Sequence, residues 1–179
     1  MRRPTVPLLC LLALTLWLAT PAGAQWVAVG RWAQGDGFRF VAPGTWMVLA
    51  EGERVTISAE GDNHVGRLDL WCRADAPAGG LRFSGYYGEG LQRTHGPLPW
   101  PSGEAVVLMV DGRRFERVLR YDPLGRDWSA EAAIDPALLD ALSNGSALEL
   151  RGSDGGLVTR LGLSGSGAAR EALRRVCRI

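Results

Sequence analysis

The side chains that could do chemistry in this chain are few. His64 and His95 are the only two histidines, and histidine is the residue whose ordinary pKa suits proton transfer near neutral pH. A hydrolase could combine His95 with Glu89 and Ser102, but no serine lies in a Gly-x-Ser-x-Gly turn. Both histidines fall in glycine-containing stretches, which favours solvated loop residues over a catalytic base.

The acidic residues offer two candidate pairs. Glu60 with Asp62, or Asp36 with Glu51, could serve a glycosidase or a calcium site. Their spacing matches no calcium loop, so solvated turns are the favoured interpretation. The chain contains no lysine, which removes the Walker lysine, the Schiff base and the Ser-x-x-Lys pair. We therefore predict no catalytic set, no metal site and no cofactor.

Aromatic residues give the clearest candidate for a binding surface. Trp71 shares the polar face of a predicted strand with Arg67, Asp69 and Arg73. Trp100 lies in a proline-rich loop, with Tyr86 and Tyr87 nearby in sequence. Exposed rings of this kind can stack on sugars or contact a protein. Most other tryptophans are expected in the core, since a buried indole removes a large apolar area from water.

Two cysteines, Cys72 and Cys177, remain once the first 24 residues are set aside. In an oxidising compartment an even pair predicts a disulfide. On the chain-entropy model a bridge across about 105 residues would stabilise the fold by about 4 to 5 kcal/mol. A metal pair or a catalytic thiol would need further histidine or cysteine in pattern.

The N-terminus predicts export. Arg2 and Arg3 precede an apolar run, residues 8–19, which is followed by the small residues Ala22-Gly23-Ala24. This is the pattern of a cleavable signal peptide over residues 1–24. The run is shorter than the roughly 20 residues that a transmembrane helix needs. We expect a periplasmic or secreted bacterial protein that begins near Gln25 and has no transmembrane segment.

Length and charge limit the remaining classes. Residues 25–179 are enough for one domain. Removal of Arg2 and Arg3 would leave 18 arginines against 19 carboxylates, which is not the balance of a nucleic-acid-binding protein. The single domain is expected to act without nucleic acid.

The hydrophobic pattern predicts a mainly β protein. Short alternating apolar runs are separated by Gly, Pro and Asp, as in an antiparallel sheet. In one of them Leu68, Leu70 and Cys72 share one face, so Cys72 should point into the core. The predicted strands are 26–32, 38–41, 45–49, 54–59, 67–72, 81–85, 105–110, 115–121, 147–151 and 157–163.

Turn and cap residues place the hairpins and helices. Asp111-Gly112 and Asp154-Gly155 predict hairpin turns. Asp135 as N-cap, Pro136 at the first helical position and Asn144-Gly145 as the stop predict a short helix. A terminal helix should begin at Ser164 or Ser166 and carry Cys177 at its end. We expect a β-sandwich or half-open barrel with a disulfide-tethered C-terminal helix.

Two segments resemble a known type of protein. They are the strand Leu-Asp-Leu-Trp-Cys (68–72) and the closing Leu-Gly-Leu-Ser-Gly-Ser (161–166), which leads to Leu173 and Cys177. Together they are similar to small proteobacterial periplasmic proteins of the invasion-associated locus B type and to periplasmic accessory proteins of type VI secretion. The resemblance implies an envelope protein that is not an enzyme, and it assigns no functional residues.

The function expected from the sequence is therefore binding. The leading hypothesis is an exported, non-catalytic periplasmic binding or accessory protein; the sequence does not identify its partner, for which an envelope protein and cell-wall glycan are the candidates. The alternative is a module that binds cell-wall glycan through Trp71, Trp100, Tyr86 and Tyr87. A hydrolase built on His95 is the third.

Overall fold

A computed structural model describes residues 42–62, 66–75, 79–84, 91, 103–125, 127–177 and 179. Nine strands and two helices lie within these ranges. The strands are β1 (Met47–Glu51), β2 (Arg54–Glu60), β3 (Arg67–Arg73), β4 (Gly79–Ser84), β5 (Glu104–Val110), β6 (Arg113–Asp122), β7 (Asp127–Glu131), β8 (Ala147–Arg151) and β9 (Leu157–Gly162). The helices are α1 (Pro136–Asn144) and α2 (Ser166–Cys177).

The strands form one open sheet in the order β1-β2-β3-β4-β7-β6-β5-β8-β9, and neighbouring strands are antiparallel. Strand β6 joins its two halves. Residues 113–119 of β6 pair with β5, whereas residues 120–122 pair with β7. One strand therefore belongs to both halves, and the chain passes from one to the other without a break in pairing.

The two ends of the sheet meet at one corner, which we call the seam. The main-chain N–H of Trp46, just before β1, donates to the Ser164 carbonyl at 2.9 Å, and its indole Nε1 donates to the Gly162 carbonyl at 2.9 Å. Asp62 closes the seam from the end of β2: its N–H donates to the Arg160 carbonyl and its side chain accepts from the Gly162 N–H. The fold is thus a half-open barrel.

The apolar core lies on one face of the sheet and under both helices. Alternation along β3 places Leu68, Leu70 and Cys72 on this face, each 3 % exposed or less. Residues of α1 and α2, such as Leu139 and Leu173, are fully buried in the same cluster. One contiguous core therefore binds both helices to the sheet.

The hairpin predicted at Asp111-Gly112 is present between β5 and β6. Asp111 has φ 45° and Gly112 has φ 86°, the two positive values that a type I′ turn requires. The Asp111 carboxylate also accepts from Ser146 N, Ser146 Oγ and Ala147 N. It therefore ties this hairpin to the junction between α1 and β8.

Helix α1 begins and ends where its capping residues predict. Asp135 accepts a hydrogen bond from Ala137 N at 2.9 Å, and Pro136 takes the first helical position. Gly145 closes the helix through its N–H to the Ala141 carbonyl. The pKa of Asp135 is lowered: burial alone would raise it, but bonds from Ala137 N and Arg117 outweigh that effect.

The predicted fold class is confirmed, and most predicted strands lie within two or three residues of those observed. The sequence pattern missed β7 (Asp127–Glu131), whose only large apolar residue is Trp128. The predicted strands 26–32 and 38–41 lie outside the described residues, as does the predicted signal peptide. Within the described residues, none of the helices is long and apolar enough to cross a membrane.

Candidate functional site

The predicted bridge between Cys72 and Cys177 is present. It joins β3 to the last turn of α2, with 6.0 Å between the two Cα atoms and 105 residues of sequence separation. Cys72 is 3 % exposed because it lies on the core face of β3. The bridge therefore holds the terminal helix against the centre of the first half of the sheet.

Ion pairs add a second attachment for α2. Arg170 contacts Asp140 of α1 at 2.7 Å, and Arg174 approaches the same carboxylate at 3.5 Å. The hydroxyl of Ser166 lies 2.7 Å from the carbonyl oxygens of Leu142 and Leu163, which share its single hydrogen. Ser166 was one of two predicted caps for this helix, but its oxygen donates to carbonyls that precede α2 instead of accepting from a helix N–H.

The opposite face of β2, β3 and β4, which we call the polar face, has Asp69 at its centre. The Asp69 side chain is 1 % exposed. Ser58 Oγ donates to its Oδ1 at 2.6 Å, while Arg67 and Arg82 contact its oxygens at 2.9 and 2.7 Å. Three neighbouring side chains thus share one buried carboxylate, which makes Asp69 the hub of an ion-pair network.

A second carboxylate lies at the edge of this network. Asp127 on β7 is 3.9 Å from Arg82. Burial raises the pKa of Asp127 from its usual value, Arg82 opposes the shift, and the carboxylates of Asp122 and Asp69 add to it. The polar face therefore carries both signs of charge close together, and its arginines are partly neutralised by acidic neighbours.

Trp71 lies on the polar face, as the alternation predicts, but it is half-buried instead of exposed. Its indole lies against Gly80 of β4, where a Cβ would come within 2.6 Å of the Trp71 Nε1 atom. The guanidinium carbon of Arg54 is 4.2 Å from the ring centroid. Since Arg54 already stacks on the indole, a sugar that stacked there would have to displace it.

Strand β3 ends in a second Arg-Asp pair, but this one is exposed. Arg73 Nη2 lies 2.7 Å from Asp75 Oδ2. The hydrogen bond from Arg73 lowers the pKa of Asp75 to about 2, and the same contact raises the pKa of Arg73. The spacing repeats that of Arg67 and Asp69, so the same Arg-x-Asp contact occurs once buried within β3 and once exposed at its end.

The other predicted aromatic residues are not described. Tyr86, Tyr87 and Trp100 lie outside the described ranges, so of the predicted aromatic surface the structure describes Trp71 alone. The residues of the histidine hypothesis also lie outside the described ranges. They are His64, and His95 with Glu89 and Ser102. Both remain predictions from the sequence.

The described members of the candidate carboxylate pairs lie in different surroundings. Asp62 is held in the seam by Gly162, and Glu60 is buried with 3 % of its surface exposed. Glu51 is exposed at the end of β1, and its suggested companion Asp36 is not described. No group of three His, Cys, Asp or Glu residues in the described ranges is placed to hold a metal ion.

Comparison of the chain with protein-family models, with curated proteins and with solved structures finds no match in any of the three.

The Asp69 network is the feature that sequence reasoning missed. The signal available was Arg67 and Asp69 on one face of a strand. What places Ser58 and Arg82 on either side of Asp69 is the strand register, which pairs all three across β2, β3 and β4. That register is set by long-range pairing in the folded sheet and cannot be predicted from the local sequence.

Proposed function

We propose that the chain is an exported accessory protein of a bacterial envelope, periplasmic or secreted, that binds another envelope component and catalyses no reaction. The observation that carries this proposal is the bridge between Cys72 and Cys177. Disulfides of this kind form and persist in oxidising compartments and are rare in the bacterial cytoplasm. The signal-peptide pattern of residues 1–24 and the resemblance to periplasmic accessory proteins support the same location.

The non-catalytic part of the proposal draws on the polar face. Its charged groups contact one another: Asp69 is shared by Arg67 and Arg82, and Arg54 stacks on Trp71. A proton-transfer site needs a titratable group within reach of a substrate, whereas mutually paired charges suit recognition and stability. The paired charges of the polar face therefore support a role in stability or recognition over a role in catalysis.

Cell fractionation tests this proposal. The full chain and a variant without residues 2–24 are expressed in a Gram-negative host, and each is purified by an affinity tag from its own fraction. We expect the full chain in the periplasm, with a partner recovered at near-equal amount, and the truncated chain in the cytoplasm without it. A full chain that stays in the cytoplasm, or that recovers nothing above background from the periplasm, would contradict the proposal.

A second candidate is glycan binding through exposed aromatic residues. The observation in its favour is the half-buried indole of Trp71, which lies on the polar face among guanidinium, carboxylate and hydroxyl groups. Sugar-binding sites commonly combine a stacking ring with hydrogen-bonding groups of these types. The hypothesis also includes Trp100, Tyr86 and Tyr87, which lie outside the described residues.

Tryptophan fluorescence tests the glycan hypothesis with a panel of peptidoglycan fragments and polysaccharides. Because Arg54 covers the indole, Arg54→Ala should tighten glycan binding, whereas Trp71→Ala should remove it. Arg73→Ala is the matched control, since Arg73 lies on the same strand and pairs with Asp75 instead. Unchanged fluorescence across the panel in both the wild type and Arg54→Ala would refute this candidate.

A further inference from the structure

The outer edges of the two end strands, β1 and β9, are covered to different degrees. On β9, the outward carbonyl of Arg160 accepts from the Asp62 N–H, and the outward N–H of Gly162 donates to the Asp62 side chain. On the β1 side, the N–H of Trp46 is bonded to Ser164. Beyond Trp46 the main chain of β1 pairs with β2, and the described residues provide no further partner for its outer edge.

Register identifies the open main-chain groups. Gly52 and Glu53 form a two-residue turn between Glu51 and Arg54, and residues that flank such a turn exchange hydrogen bonds. Glu51 and Leu49 therefore direct their N–H and C=O groups toward β2. Val48 and Ala50 direct theirs away from the sheet, in the same direction as Trp46, whose outward N–H reaches Ser164.

The side chains on this edge are apolar and exposed. Val48 is 46 % exposed and Leu49 is 53 % exposed, on opposite faces of the strand. Natural sheet edges are commonly protected by lysine, proline, a bulge or a covering segment. Residues 47–50 contain neither lysine nor proline, and their pairing with β2 is regular.

The far end of the edge is acidic. Glu51 and Glu53 are both exposed, and Glu53 lies close to the ion pair between Arg73 and Asp75. Arg54, opposite Glu51 in the hairpin, stacks on Trp71. A strand added to β1 would therefore meet apolar side chains at its centre and the exposed carboxylate of Glu51 at one end.

We propose that the outer edge of β1 is a docking site for an extended segment of a partner protein, which adds to the sheet as a tenth, antiparallel strand. The segment would place apolar side chains beside Val48 and Leu49 and a basic residue beside Glu51. Its main chain would bond to Val48 and Ala50, which is the general mode of recognition by strand addition. The site rests on the proposed accessory function and gives its partner a chemistry.

A designed peptide tests the docking site in the full-length mature protein. The probe is an eight-residue peptide with two arginines followed by alternating valine and threonine, which places the arginines beside Glu51 in an antiparallel arrangement. A peptide with two glutamates in place of the arginines is its control. We expect fluorescence anisotropy to favour the arginine peptide, and hydrogen exchange at Val48 and Ala50 to slow when it binds.

Two variants make the test specific. Ala50→Pro removes an outward N–H but no bond to β2, so the fold should persist while the arginine peptide binds at least about tenfold more weakly, as expected for lost main-chain bonding. Glu51→Arg should reverse the preference in favour of the glutamate peptide. Leu124→Lys is the control, because Leu124 is 94 % exposed in the turn between β6 and β7.

Four results would overturn the docking site. They are failure of the arginine peptide to bind, peptide binding that Ala50→Pro leaves unchanged, slow exchange at Val48 and Ala50 in the protein alone, and a dimer by sedimentation that Ala50→Pro dissociates. The third would assign the edge to the chain itself and the fourth to a second copy. If the Ala50→Pro variant still recovers its periplasmic partner, the proposed accessory function stands and only the docking site is rejected.

Discussion

At the scale of single residues, Asp69 is the most consequential polar side chain that the structure describes. It is fully buried on the polar face, and its charge is balanced by Arg67 and Arg82. Burial of an ion is costly unless it is paired and hydrogen-bonded, and removal of one partner leaves the cost uncompensated. The polar face therefore depends on Asp69 for stability more than on any exposed pair.

Asp69→Asn should destabilise the fold by about 2 to 4 kcal/mol, because it removes the charge that balances two arginines while keeping the shape of the side chain. Urea unfolding followed by tryptophan fluorescence measures this change. Asp75→Asn is the matched control, since Asp75 also follows an arginine by two residues but lies at the surface. Equal effects of the two substitutions would show that burial of Asp69 does not matter.

At the scale of elements, the sequence specifies those parts of the fold whose signals are local. The caps of α1 and the Asp111-Gly112 turn are properties of a few adjacent residues, and both are where the sequence places them. Alternation in β3 correctly turns Cys72 inward. Strand β7 was missed because Asp-Trp-Ser-Ala-Glu is only five residues long and has one large apolar residue, Trp128; it is a strand because it pairs with β4 and β6.

The candidate site was less predictable for the same reason. The disulfide follows from a count of cysteines, whereas the Asp69 network requires the register of three strands. The seam likewise brings together residues from positions 44–46, 62 and 160–164, which no local pattern connects. Long-range pairing is therefore what sequence reasoning could not supply here.

The contact that Asp111 makes between the β5–β6 hairpin and the α1–β8 junction should depend on pH. Bonds from the Ser146 hydroxyl, the Ser146 N–H and the Ala147 N–H lower the pKa of Asp111. A carboxylate with a lowered folded-state pKa contributes stability above its unfolded pKa of about 3.9, and this contribution is lost as pH falls through the folded value. Wild type should thus lose more stability on acidification than Asp111→Asn.

The difference between the two thermal-unfolding curves from pH 6 to pH 2.5 measures this contribution, because other carboxylates titrate alike in both proteins. Asparagine tolerates the positive φ of the turn, so the hairpin itself should survive. Ser146→Ala should reduce the difference, since it removes one of the bonds to Asp111. Parallel curves for wild type and Asp111→Asn would contradict this account.

The seam requires a glycine at position 44. Gly44 has φ 76°, and a Cβ there would lie 2.9 Å from Gly162 Cα and 2.8 Å from Asp62 Oδ1. Gly44→Ala should therefore cost about 2 to 4 kcal/mol, which combines left-handed strain with a backbone clash. Gly52→Ala is the control: Gly52 also has positive φ, 58°, but open space around it.

Gly52→Ala should cost only the strain, about 1 kcal/mol. Urea unfolding of both variants gives the comparison. If Gly44→Ala were no more destabilising than Gly52→Ala, the close approach between the two ends of the sheet would not contribute to stability.

At the scale of the whole molecule, the proposed cellular location and the structure are connected through the disulfide. The two ends of the sheet meet at the seam, the terminal helix is held by Cys72–Cys177, and disulfides of this kind form and persist in an oxidising environment. The proposed signal peptide would deliver the chain to such an environment and would be removed there together with Cys10. Export and fold are therefore parts of one hypothesis.

Intact-mass spectrometry of the protein from the periplasm of a Gram-negative host, after treatment with a thiol-alkylating reagent, tests this hypothesis most directly. The account predicts a species that begins near Gln25, carries no alkyl group and is two hydrogens lighter than its reduced form. After reduction it should take up two alkyl groups, at Cys72 and Cys177. A chain that retains residues 1–24, or whose two thiols are alkylated without reduction, would contradict the account.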